Sequence, residues 1–133
     1  MASTPIPVAT LTATGGVPEV EIVVGHLHRA DYQLLLFDTH GANPVGVGSA
    51  DGKGKTGDQV PDRFPLALPL ADLHRRTLFW QAGIVSFVPE GDSEPFSVTV
   101  RVLQDGNIVG LGGGSGVMNR PHASGMFHLK VQG

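Results

Sequence analysis

Along much of the chain apolar and polar residues alternate with a period of two, which places successive side chains on opposite faces of a strand. Residues 19–28 set Val20, Ile22, Val24, His26 and His28 on one face, with Glu19 and Glu21 opposite, and predict a strand. In residues 96–110 Phe96, Val98, Val100 and Val102 oppose Ser97, Thr99 and Arg101. Asp105-Gly106 then leads into Asn107-Ile108-Val109, the signature of a hairpin. Residues 126–132 alternate Phe127, Leu129 and Val131 with His128, Lys130 and Gln132, and predict a closing amphipathic strand.

Other segments depart from strict alternation in informative ways. Residues 32–38 (YQLLLFD) are nearly all apolar, which predicts a central strand covered on both faces. The short link Arg29-Ala30-Asp31 suggests that this strand forms a hairpin with the one before it. Residues 77–88 are β-branched and aromatic, with Gly83 near the middle marking a bulge or a bend between sheets. Residues 64–70 (FPLALPL) carry two prolines, which cannot donate to a ladder, and predict an edge strand or a crossover. One helical turn is expected over residues 71–76.

Between these lie turn-rich stretches. Residues 1–16 read as an extended arm ending in a short edge strand around Val8–Thr12, ahead of a single β domain over residues 17–133. Residues 39–62 hold six glycines and form the longest irregular segment, with one short strand near residues 45–47. A long loop on a rigid β scaffold is a natural place for binding residues. Gly112-Gly113-Gly114-Ser115-Gly116 reads as a flexible or tightly turning loop. The sum is an all-β chain, an antiparallel β-sandwich of about seven or eight short strands, with a small closed β-barrel as the alternative.

Composition agrees. The 133 residues are 41% hydrophobic and 16% charged, with 19 glycines and 10 prolines, which suits one domain of short strands and turns. A net charge of −3 with no block of like charges gives no footprint for a phosphate backbone, so nucleic acid is not an expected partner. No apolar stretch approaches the roughly 20 residues of a membrane-spanning helix. Without cysteine there is neither disulfide nor thiolate chemistry. Pro5 and Pro7 interrupt any leader-like apolar run near the start, so the expected location is the cytoplasm, or export without a cleavable signal peptide.

The search for chemistry yields fragments. Ser49 to Thr56 looks like a phosphate-binding loop, but Ser49 stands where the first glycine is needed, and Pro61 and Pro65 exclude the helix that should follow. The H-x-H pair His26 and His28 projects two imidazoles from one strand face, and His128, His122, His40, Asp31 or Asp38 would be needed to complete a divalent-metal site. The competing reading is a strand whose end emerges from the core with histidines at its rim. Asp51, Asp58 and Asp62 offer oxygen ligands for Ca²⁺ in the 39–62 loop, against a default of solvated loop acids. Tyr32, His40, Asp51, Asp58 and Trp80 are the candidates for a ligand site, although Trp80 shares a face with Leu78, Ala82 and Ile84 that favours the core. No nucleophile elbow or facing pair of carboxylates is present.

The leading expectation is therefore a non-enzymatic binding or assembly module without a cofactor, associating with itself as a homo-oligomer and recognising a protein or a glycan. FPLALPL is the candidate open edge for that association. The alternative is a small barrel with a metal or small-ligand pocket at His26, His28 and His128, serving an enzyme or a carrier.

Overall fold

The computed structural model describes residues 6–25, 28–49, 51–57, 61–66, 68–85, 95–117 and 121–133. Ten strands and one helical turn follow in the order β1 (Val8–Thr12), β2 (Glu19–Val24), β3 (Arg29–Phe37), β4 (Val45–Gly46), β5 (Lys53–Gly57), β6 (Asp62–Pro65), α1 (Leu70–Leu73), β7 (Thr77–Val85), β8 (Pro95–Gln104), β9 (Asn107–Val117) and β10 (His122–Gln132). They build two packed sheets that do not close into a barrel, an all-β sandwich. Sheet A runs β1-β10-β7-β3, with β4 and β5 sharing the far edge of β3, and sheet B runs β6-β2-β8-β9. All pairs are antiparallel except β1 with β10, where the first and last strands lie parallel.

The core forms where the alternating apolar faces meet. Val20, Ile22 and Val24 of β2 and Phe96, Val98, Val100 and Val102 of β8 point inward from sheet B. Leu34, Leu36, Leu78, Trp80, Phe127 and Leu129 oppose them from sheet A. Ala9 and Leu11 of β1 are fully buried, so this edge strand adds to the same core.

Four sequence expectations are corrected. Strands β2 and β3 do not form a hairpin: β2 pairs with β6 and β8, and β3 with β7, β4 and β5, so the two consecutive strands belong to different sheets. Both strands bury one apolar face, and the two sheets supply facing cores that satisfy each separately. Strand β3 is covered on one face only, since Leu35 and Phe37 remain half-buried on its outer face. Gly83 makes no bulge, because β7 keeps unbroken register with β3 and β10 through it.

The glycine run after the Asp105-Gly106 turn is not a loop. It is the body of β9, paired with β8 to its end. The reason is a close approach: a Cβ on Gly112 would stand 2.9 Å from Phe127 Cζ, and one on Gly110 would stand 3.3 Å from Phe127 Cδ1. The aromatic ring of sheet A rests directly on the backbone of sheet B, which only glycine permits.

Candidate functional site

The outer face of sheet A carries a groove of about 550 Å³ that crosses four strands. Strand register explains its lining. One cross-strand row runs Lys55 (β5), Asp31 (β3), Gly83 (β7), His122 (β10), and the next runs Lys53, Gln33, Gln81, Ser124. Asp31 and Gln33 face outward because they alternate with buried Ala30, Tyr32 and Leu34. Gly83 forms the low point of the first row, between Asp31 and His122, whose backbones lie two strands or about 10 Å apart.

The local turn ahead of β5 positions the lysines. Asp51 Oδ1 accepts hydrogen bonds from Ser49 Oγ at 3.0 Å and from the Lys53 amide at 3.1 Å. The Lys53 amide hydrogen bond, followed by that from Ser49, lowers the Asp51 pKa below the ordinary carboxylate value. Gly52 adopts φ +72°, and its carbonyl accepts from the Leu34 amide at 2.8 Å. A Cβ at Gly52 would lie 2.1 Å from the Leu34 carbonyl oxygen, so the turn can dock on β3 only with glycine there.

Within the groove Gln81 Nε2 donates to Gln33 Oε1 at 3.0 Å, and Gln33 Nε2 donates to the Asp51 carbonyl at 3.2 Å, a fixed chain of amides along the second row. Lys53, Lys55, Asp31 and His122 make no side-chain hydrogen bond or ion pair with another described residue, leaving two cationic groups, one carboxylate and one imidazole free for a ligand. The adjoining row, Leu35, Phe79 and Met126, is apolar and borders the groove on one side.

Of the described residues nominated from the sequence, Asp31, His122 and Tyr32 line the groove and the others fall elsewhere. Tyr32 lines the groove wall, but its ring is buried and its hydroxyl donates inward to Asp62 Oδ2 of sheet B at 2.7 Å. Burial, then the hydrogen bond to Asp62 and its charge, push the Tyr32 pKa well above the ordinary phenol value. Trp80 is only 2% exposed and serves the core. His40 sits beyond the far end of β3 from Asp31, in a turn organised by Asp38, which accepts from the amides of His40 and Ala42 and from Asn43 Nδ2. Asp38 is thereby held at a pKa of about 2, chiefly by the Ala42 amide and Asn43. The carboxylate of Asp51 is used by its own turn, and Asp62 by Tyr32. Asp58 and His26 lie outside the described residues.

His28 and His128 do not converge. His28 is buried at the link between sheets, with Nε2 2.9 Å from the Pro95 carbonyl oxygen, next to the end of sheet A where Arg29 pairs with Val85. His128 lies at the opposite end, exposed beside Thr77 and eight strand positions away, about 26 Å. Among the described residues no group of three or more His, Asp or Glu side chains is placed to hold a metal ion. Thr77 Oγ1 and His128 Nδ1 are 3.2 Å apart, but no described carboxylate orients this imidazole.

The groove residues missed from the sequence had one available signal. Gln33 and Gln81 are solitary polar residues inside apolar strands, which marks the solvent face. Lys53 and Lys55 fell within the irregular 39–62 segment because glycines 52, 54 and 57 hid strand β5. No protein-family model, curated protein or solved structure matches the chain.

Proposed function

We propose that the protein is a non-catalytic recognition module that holds an acidic glycan in the groove on the outer face of sheet A. The observation that carries this reading is the groove itself: its volume of about 550 Å³ suits a small-ligand site, and its charged side chains make no hydrogen bond or close ion pair with another described residue, Asp51 acting on Lys53 only through its charge at longer range. A glycan fits its chemistry better than a protein does. Protein interfaces concentrate energy in aromatic anchors and dry pockets, whereas here Tyr32 and Trp80 are turned into the core. Hydroxyl pairs of a sugar match the fixed amides of Gln33 and Gln81 and the carboxylate of Asp31. Two lysines against one aspartate make the lining positive in a chain of net charge −3, which favours a carboxylate or sulfate on the sugar.

Gly83 supplies a clean test. A Cβ there would meet only His122, at 3.6 Å, an ordinary contact, and a β-branched residue suits a strand. Gly83→Val therefore fills the groove without disturbing the fold. On an array of neutral, uronate-bearing and sulfated glycans, the wild type is expected to retain acidic glycans. By calorimetric titration Gly83→Val is expected to weaken binding at least tenfold, with the melting temperature held to within about 3 °C. Retention of no glycan, or affinity unmoved by Gly83→Val, would sink the proposal.

A further inference from the structure

Sheet edges expose unpaired backbone donors and acceptors, and proteins protect most of them by brevity, charge or proline. Three of the outer strands here are protected in this way. On sheet A, β4 has two residues, and β5 carries Lys53 and Lys55. On sheet B, β6 has four residues that include Asp62, Arg63 and Pro65. The FPLALPL segment named above as the open edge is thus closed: Phe64 and Pro65 end β6, and Leu66 turns into the core. The remaining edge of sheet A, β1, has only five residues.

Strand β9 is different. It runs for 11 residues as the outermost strand of sheet B, with no charged residue and no proline, and no described strand pairs with its far side. Leu111 and Ile108 on it are 60% and 56% exposed. We propose that β9 pairs antiparallel with β9 of a second copy of this chain, about a two-fold axis, joining two four-stranded sheets B into one continuous sheet. Three features favour a second copy as the occupant. An uncharged edge meets its own copy without like-charge repulsion, although each chain carries −3. Antiparallel pairing of identical edges is self-complementary and closed, so it yields a dimer. The protected β6 at the other side of sheet B prevents extension into a fibre.

The edge is about 37 Å long, and a strip about 10 Å deep on each partner buries about 700 Å² in total, below the usual 1,200 Å² or so of a stable complex. The dimer is accordingly a reversible one. This inference is independent of the glycan groove, which lies on the other sheet.

Sedimentation velocity of the full chain from micromolar to millimolar concentration is expected to show mass rising from one chain towards two. Leu111→Lys and Ser115→Lys, each placing a charge on the edge, are expected to raise the dissociation constant roughly tenfold or more. Val8→Lys, on the 52% exposed Val8 of β1, is expected to leave it unchanged. Two lysine variants guard against one failing to fold. A wild type that stays a single chain at every concentration overturns the proposal. So does a dimer weakened by Val8→Lys and insensitive to lysine on β9.

Discussion

Phe127→Ala is expected to destabilise the protein by about 3–5 kcal/mol, at the upper end of large-to-small core substitutions. In a chain of this length that lowers the melting temperature by roughly 10–20 °C. Phe127 is fully buried, and its ring lies against the β9 backbone at Gly110 and Gly112. Those glycines have no side chains that could swing into the vacated space, so the cavity stays open. The same contact predicts the converse. Gly112→Ala sets a methyl 2.9 Å from Phe127 Cζ and is expected to cost about 1–3 kcal/mol by overpacking. Combined with Phe127→Leu, which shortens the side chain, the cost of Gly112→Ala is expected to fall by about 1 kcal/mol or more. Chemical denaturation of the two single variants and the double variant measures this coupling. Strictly additive effects would show that the glycine run does not serve the ring.

That contact also explains which parts of the fold were legible in the sequence. Strands β1, β8 and β10 and the Asp105-Gly106 turn carry their own signal, because alternation and turn chemistry are local. Strand β9 does not. A glycine contributes no apolar side chain to a pattern, and the partner that makes Gly112 a strand residue is Phe127, on the opposite sheet. The link between β2 and β3 was ambiguous for a related reason. Val20, Ile22 and Val24 and then Ala30, Tyr32, Leu34 and Leu36 need apolar cover, but nothing local says whether the two strands lie in one sheet or face each other.

The candidate site was less legible still. His26, His28 and His128 drew attention because imidazole is chemically versatile, yet strand register puts His28 and His128 at opposite ends of sheet A. The groove instead joins Lys55, Asp31, Gly83 and His122, one from each of four strands whose order in space differs from their order in the chain. Asp31 and His122 were visible as members of the metal set, but only topology brings them to the same row, with Gly83 between them.

On the outer face of sheet B a different row, Arg63, Glu21, Arg101, carries the second large expected effect. Glu21 is buried, with Oε2 2.7 Å from Arg63 Nε and Oε1 2.7 Å from Arg101 Nη1. Burial alone would raise its pKa, but hydrogen bonds from Arg101 and Arg63, together with their positive charges, bring it below the ordinary value of 4.5. Removing one partner of a buried pair costs about 3–5 kcal/mol. The arginine side chains here are 56% and 38% exposed, so water recovers part of that for the abandoned charges. Glu21→Ala is therefore expected to cost about 2–3 kcal/mol, read by denaturant titration at about pH 7.

The pH dependence separates charge from shape. Because the folded-state pKa is depressed, the ionised carboxylate stabilises the fold in full above its unfolded value near 4.5, and that stability is lost as pH falls through the lower folded value. Glu21→Gln keeps the size and one set of hydrogen bonds but cannot ionise. Wild type and Glu21→Gln are expected to differ at about pH 7 and to converge as the pH falls through the lowered folded value. A difference that stays constant across that range would mean that Glu21 acts through packing alone, and that the two arginines are held by the sheet and not by its charge.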